Sequence, residues 1–204
     1  MRKIILSVIL ITILVLSVFL FYFQSEATAL GAHVVALKLD TGDTAWMIVA
    51  SALVLIMTPG LGFFYGGMVG KKNVISTMLQ SFMAMVIVTV LWVLVGFGLC
   101  FGPSVGGIIG DPSSNFMFNG VNSTTAWELA PTIPFILFAF FQAKFAIITP
   151  ALITGAFAER VRFWAYLLFM VLFILVIYAP LCHMTWHPDG LFFGWGVLDF
   201  AGGT

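Results

Sequence analysis

The side chains that most enzymes use for catalysis are sparse in this sequence. Its 204 residues include eight Lys and Arg, eight Asp and Glu, three His and two Cys. There is no Gly-rich phosphate loop before a Lys-Ser/Thr pair, no Ser nucleophile elbow and no Cys pair at metal-binding spacing. We therefore predict that the protein is not an enzyme and uses no cofactor.

A metal site is the one piece of inorganic chemistry that the spacing suggests. His183 and His187 lie four residues apart with Asp189 nearby, a pattern that zinc sites also use. Pro188 argues against a continuous helix there, and one pair of histidines is not a ligand set, so we predict no metal. Cys100 and Cys182 form neither a disulfide framework nor a metal cluster. Whether the two cysteines pair is left open.

One charge lies deep inside an apolar stretch. Lys144 falls roughly 18 Å from the outer end of the stretch 132–158 at a helical rise of 1.5 Å per residue. Burying a charge in lipid costs several kcal/mol. We expect Lys144 to face the bundle interior or a wet cavity, and both a structural ion pair and a functional role are compatible with that position.

Three aromatic residues and one carboxylate complete the candidates. Phe141 and Phe145 are four residues apart on one helix face, although in a chain with 22 Phe such a pair most simply indicates packing. Trp186 in a loop is typical of an interface anchor. Asp199 opens a new apolar segment, where a carboxylate favours helix capping over catalysis.

The elements that position these residues are membrane helices. The chain is 62% hydrophobic and 8% charged, whereas a soluble domain carries about 25% charged residues. Each crossing needs about 20 apolar residues with every backbone group bonded internally, so helices are predicted. The predicted spans are 44–68, 75–101, 132–158 and 163–182, with polar loops at 102–130 and 183–197. Lys and Arg are too few for a nucleic-acid interface.

Charge patterning predicts the orientation in the membrane. Residues 1–29 have the basic start, apolar middle and Ala-Thr-Ala exit of a secretory signal peptide, with an uncleaved helix as the alternative. Either places residues 30–43 outside. The first and third spans are followed by basic residues, and the positive-inside rule puts both junctions in the cytoplasm. Those residues are Lys71, Lys72, Arg160 and Arg162.

Four sequence blocks, in order, resemble the ammonium transporter family (Amt/Mep/Rh). They are Thr58-Pro-Gly-Leu-Gly-Phe-Phe-Tyr-Gly-Gly-Met68, Phe141-Gln-Ala-Lys-Phe-Ala-Ile-Ile-Thr149 running into Gly155-Ala-Phe-Ala-Glu-Arg160, His183-Met-Thr-Trp186, and Leu198-Asp-Phe-Ala-Gly-Gly-Thr204. The resemblance implies an all-α, polytopic membrane bundle of eleven helices in two inverted halves, assembled as a homotrimer with one pore per subunit. Residues 44–204 then form the first four to five helices of a truncated transporter domain, and we expect this sequence to be a fragment.

The resemblance also implies roles for the candidate residues. Phe141 and Trp186 match the aromatic cage that recruits ammonium, Phe145 matches the phenyl gate below it, and Asp199 matches the carboxylate that shapes the outer vestibule by capping the fifth helix. The first pore histidine, which takes part in proton handling, falls at the fourth position after Thr204. Lys144 departs from the family pattern, where an uncharged residue is usual. It either faces a neighbouring helix or subunit, or perturbs the pore.

The implied function is passage of ammonium or ammonia across the cell (inner) membrane of a bacterial-type cell. An ammonium sensor, in which the same fold drives a signalling domain, is the first alternative. A channel for another small substrate, such as methylammonium or CO2, is the second. The implied partners are ammonium, the lipid bilayer, two further subunits and a PII-type regulator at the cytoplasmic face, without nucleic acid.

Overall fold

The computed structural model describes residues 33–202, so the predicted signal peptide lies outside the described residues. The helices are α1 (Thr41–Met68), α2 (Val74–Leu91), α3 (Phe97–Phe101), α4 (Phe135–Leu152), α5 (Thr154–Phe157), α6 (Phe163–Phe173), α7 (Ala179–Trp186) and α8 (Leu191–Gly194). The strands are β1 (Val34–Ala36), β2 (Ser104–Val105), β3 (Ile109–Gly110) and β4 (Thr125–Trp127). A 3₁₀ turn covers Phe116–Phe118.

Four helical rods in the described chain are long and apolar enough to cross a membrane, which confirms the predicted helical bundle. They cover Thr41–Met68, Val74–Phe101, Phe135–Phe157 and Phe163–Gly194. Each predicted span lies largely within one of these rods, but the predicted end of the fourth at residue 182 is wrong. Helix α7 continues to Trp186 and ends before Pro188, whose ring would break the next helical turn.

Two of the rods contain a π-helical turn. Trp92–Gly96 joins α2 to α3, and Ile174–Tyr178 joins α6 to α7. The extra residue in such a turn rotates the side chains that follow it, and π turns are frequent near functional sites. Trp92 is 1% exposed, and its Nε1–H donates to the Ala139 carbonyl at 3.0 Å. The first π turn is therefore anchored directly to α4.

The two ends of the bundle differ in structure. At one end, which we call the hairpin end, β1 pairs antiparallel with β4 and β2 with β3. At the other, the basic end, the turns 69–73 and 158–162 carry the four basic residues named above. The Glu159 carboxylate accepts hydrogen bonds from the Gly70 backbone N–H at 2.7 Å and the Asn73 side chain at 3.0 Å. Both basic turns thus lie at one end, as predicted.

Small residues bring the helices together at three positions. A Cβ added at Gly62 would meet the Ser81 Cβ at 3.5 Å, and one at Gly66 would meet the Met78 Cγ at 2.7 Å. A Cβ at Gly155 would meet the Tyr65 ring at 2.6 Å. The absence of a side chain at these glycines lets α1 pack closely against α2, and α5 against α1.

Candidate functional site

The paired phenylalanines of α4 contact each other directly. The rings of Phe141 and Phe145 lie 5.0 Å apart at 75°, an edge-to-face arrangement. Phe145 is one helical turn nearer the basic end, and its carbonyl accepts a 2.6 Å hydrogen bond from Thr149. Two rings therefore follow one another along a single face of α4.

Trp186 and Asp199, 13 residues apart, are joined by a hydrogen bond. The Trp186 Nε1–H donates to Asp199 Oδ2 at 2.8 Å. Trp186 is the last residue of α7, while Asp199 lies in irregular backbone that leads into a turn at residues 200–201. The described residues thus place Asp199 against Trp186 and leave its helix-capping role a prediction.

Two neighbouring cavities surround these residues at the hairpin end. One of about 290 Å³ is bordered by Trp186, Asp199 and Thr185, and the other, of about 330 Å³, by Phe141. Both are also lined by Leu129, Phe138 and Gln142. Among the described residues Phe141 and Trp186 have no ring contact, so they border adjoining cavities instead of one closed cage.

Gln142 is a candidate site residue that the sequence did not single out. It lines both cavities, and its side-chain oxygen is buried without a hydrogen-bond partner in the described part of the chain. A buried, unpartnered amide oxygen is an acceptor for a guest that carries N–H groups. The sequence offered one indication of this role, since Gln142 directly follows Phe141 within the motif 141–149.

The cavity wall is stiffened by an aromatic stack. The Trp127 ring lies parallel to Phe135 (6.0 Å, 6°) and Phe138 (5.7 Å, 13°). Trp127 is 2% exposed and comes from β4, inside the stretch predicted as a polar loop. Trp127 thus fixes the position of Phe138 between the cavities.

Lys144 faces a ring instead of a carboxylate. Its side chain is buried at 5% exposure, and its Nζ lies 3.2 Å from the centroid of Phe140. Phe140 is 50% exposed, on the outer surface of the described bundle. Within residues 33–202, the charge is therefore held by a cation–π contact and not by the ion pair that was one of the two expectations.

His183 has a structural role. It is fully buried, its Nδ1–H donates to the Cys100 carbonyl at 2.9 Å, and its Nε2 accepts from the Ser104 hydroxyl at 2.8 Å. With both ring nitrogens engaged, His183 links α7 to the β2–β3 hairpin. Cys100 and Cys182 are both buried and free, which resolves the open question of their pairing.

Four membrane-competent rods, with two cavities lined by aromatic and polar side chains at one end, define a multi-pass α-helical membrane protein. The family model of the Ammonium Transporter Family matches residues 45–204. An ammonium transporter of Mycobacterium tuberculosis is 47% identical over 186 residues, covering 81% of this chain and 39% of that protein. One from Aquifex aeolicus is 44% identical over 171 residues, with 82% and 39% covered. The chain therefore belongs to the ammonium transporter family, a family of transporters and not of enzymes.

Solved structures agree with the sequence comparison. Mep2 from Saccharomyces cerevisiae matches with a TM-score of 0.72 at 34% identity, covering 81% of this chain and 38% of that one. A structure described as a sensor Amt protein matches with a TM-score of 0.68 at 32% identity, with 78% and 38% covered. The chain spans about two fifths of the length of the relatives that it matches.

Proposed function

We propose that the protein conducts ammonium or ammonia across the cell membrane through a pore in each subunit. The observation that carries this proposal is a pair of adjoining cavities at the hairpin end, which we call the vestibule. Its walls include Phe141, Gln142, Trp186 and Asp199. They lie in the motifs that define the family, and their chemistry suits a small cation with N–H groups.

Aromatic faces recruit the cation without trapping it. A cation over such a ring gains about 0.5–2 kcal/mol, which concentrates ammonium yet permits its release. Phe141 and Trp186 supply these faces from adjoining cavities. The Gln142 oxygen accepts an N–H hydrogen bond between them. Asp199, held by Trp186, adds negative charge at the entrance.

Phe145 acts as the gate below the vestibule. Its ring follows Phe141 in the direction of the basic end and separates the recruiting rings from the apolar part of the pathway. Ammonium gives up its proton near this gate because an ion cannot cross apolar surroundings cheaply. Neutral ammonia then passes, while the proton travels by a separate route.

The proposed assembly and orientation follow the family. The protein acts as a homotrimer in the cell membrane, with the hairpin end outside, the mature amino end outside and the basic end in the cytoplasm. Clustering of Lys71, Lys72, Arg160 and Arg162 at one end supports this orientation. The basic end, in the cytoplasm, is the site for a PII-type regulator.

Uptake of methylammonium and ammonium by liposomes containing the protein produced from its gene tests the proposal. We expect methylammonium uptake to be saturable and to be inhibited competitively by ammonium. Phe141→Ala should lose most of this uptake. Trp195→Ala, which changes a tryptophan that is 67% exposed, is the matched control. No response to either ion would contradict ammonium transport, and CO2-dependent acidification alone would favour the channel alternative.

Ammonium sensing is a second candidate because a sensor Amt protein is among the structural matches. A sensor binds ammonium at the same vestibule but drives a signalling domain. Tight ammonium binding by the purified protein, with no uptake in the liposome assay, would favour sensing over transport.

A further inference from the structure

A cluster of ionisable side chains lies at the hairpin end, apart from the vestibule. His33 Nε2 is 2.7 Å from Asp189 Oδ2, and His33 Nδ1 is 2.8 Å from Glu128 Oε2. The ring of His187 stands perpendicular to that of His33, with centroids 4.8 Å apart. One ligand atom from each of His33, His187 and Asp189 lies within 4.8 Å of the others. Four groups that coordinate metals in other proteins thus converge.

From this geometry we propose that His33, His187 and Asp189 form a binding site for a divalent transition-metal ion such as Zn²⁺. This departs from the prediction of no metal, which did not consider His33. Two imidazoles and one carboxylate are a ligand set that zinc accepts, with a water as fourth ligand. The site is assembled from the segment before β1 and the turn after α7. A bound ion would therefore tie the amino-terminal strand to the end of the fourth rod.

Glu128 completes the arrangement as the partner of His33. A histidine that coordinates zinc usually donates its other ring N–H to a carboxylate, which fixes the tautomer and raises the basicity of the ligand. In this cluster His33 Nδ1 faces Glu128 while Nε2 faces Asp189. The ion would take the position of the proton between Nε2 and Asp189.

Binding an ion requires the ligand atoms to move by up to about 1.5 Å, because separations of up to 4.8 Å must close to the distance found around a metal. Two ligands on a tetrahedral zinc ion lie about 3.3 Å apart, since each bond is about 2.0–2.1 Å. The 2.7 Å separation of His33 and Asp189 must open by a fraction of an ångström, and Asp189 is on an exposed turn between Pro188 and Gly190. His187 is fully buried. Its Nδ1 lone pair accepts only a 3.1 Å bond from the Asp189 backbone N–H, which the ion would displace.

A purely structural network is the competing explanation. Desolvation lowers the pKa of His33, but hydrogen bonding to Asp189 and Glu128 outweighs it and raises the pKa overall. A protonated His33 can therefore bridge the two carboxylates without a metal. Both explanations leave His187 Nε2 buried without a partner among the described residues, so ion binding has to be measured directly.

Calorimetric titration with Zn²⁺ separates the two explanations. The protein produced from its gene is purified in detergent, freed of any histidine tag and compared with His33→Gln, His187→Ala and Asp189→Asn. We expect one ion per chain and at least about tenfold weaker binding in each variant, since even outer partners of a metal are worth about 10- to 100-fold. Glu128→Gln should weaken binding less than the ligand variants do. Asp43→Asn, a carboxylate at the same end but outside the cluster, should bind like the wild type.

Thermal unfolding with and without Zn²⁺ guards against variants that fold poorly. Zn²⁺ should raise the unfolding temperature of the wild type and of Asp43→Asn, because an ion that binds only the folded state stabilises it. The ligand variants should lose this increase. Absence of one-to-one binding in the wild type, or equal binding by all variants, would overturn the metal site. Neither result bears on ammonium transport.

Discussion

At the residue scale, Trp186 offers two separable properties, an aromatic face and a hydrogen bond to Asp199. Trp186→Phe removes the bond and keeps a ring, whereas Trp186→Leu removes both. If the face recruits ammonium, the KM for uptake should rise about 2- to 30-fold in Trp186→Leu, the equivalent of about 0.5–2 kcal/mol of cation–π attraction. Trp186→Phe should show a smaller rise. Uptake kinetics in liposomes measure both.

The exposed Trp195 supplies the control for this comparison, and Trp195→Leu should leave KM unchanged. An equal rise in KM for the Phe and Leu variants at position 186 would assign the effect to the lost hydrogen bond with Asp199. The aromatic recruitment of ammonium would then have to be abandoned for this residue.

Lys144 carries the second prediction at this scale. Its Nζ contacts the Phe140 ring, which lies one turn before it on a face distinct from that of Phe141 and Phe145. We therefore expect Lys144→Met to leave the ammonium KM within about twofold of the wild type. Replacing a buried cation by an apolar residue of similar length is often neutral or stabilising, so the unfolding temperature should stay equal or rise.

The effect of Lys144→Met on KM discriminates between the two interpretations of this residue. A clear fall in KM would mean that the ammonium group of Lys144 repels substrate in the pore. Phe140→Leu, which removes the cation–π partner without changing charge, should lower stability and leave KM unaffected in both cases.

At the element scale, Glu159 joins the two turns of the basic end. Hydrogen bonds from the Asn73 side chain and the Gly70 backbone N–H hold the pKa of Glu159 below its ordinary 4.5. A depressed carboxyl pKa stabilises the fold above the unfolded-state pKa, and that contribution disappears as the pH falls through the folded-state value. Glu159→Gln should thus lower the unfolding temperature at pH 7 and have a diminishing effect as the pH approaches the folded-state pKa.

Thermal unfolding in detergent over a series of pH values measures this effect, and a double-mutant cycle with Asn73→Ala identifies its source. The two single changes should be less than additive when combined, because they remove the same interaction. A destabilisation by Glu159→Gln that stays constant from neutral to acidic pH would show that the carboxylate charge does not contribute.

The elements themselves were largely predictable, and the reason is the membrane. A span must be long, apolar and internally hydrogen-bonded, so hydropathy located all four rods. The end of α7 was placed too early because His183 and Thr185 appear polar in sequence, whereas His183 is satisfied by Cys100 and Ser104. The β1–β4 pair was not predicted, since its strands lie some 90 residues apart, as the Val34–Trp127 register shows. The β2–β3 hairpin has strands of only two residues each, too short for a sequence pattern.

The site was predictable only where a motif identified it. Phe141, Phe145, Trp186 and Asp199 were singled out through the resemblance, and their roles stay predictions. Gln142 was passed over although it stands inside the same motif. Trp127 and His33 could not be placed, because their positions depend on contacts with α4 and with Asp189 that chain spacing does not encode.

At the scale of the whole molecule, the orientation in the membrane can be tested with single added cysteines. The native Cys100 and Cys182 are buried, so they should give little background. In intact cells a membrane-impermeant maleimide should label Asn119→Cys at the hairpin end and spare Lys72→Cys and Arg162→Cys at the basic end until the membrane is opened. The two basic-end sites must behave alike, because Glu159 connects the turn that bears Arg162 to residues 70 and 73 of the other turn. Labelling of Lys72→Cys from outside would reverse the proposed orientation and place the vestibule in the cytoplasm.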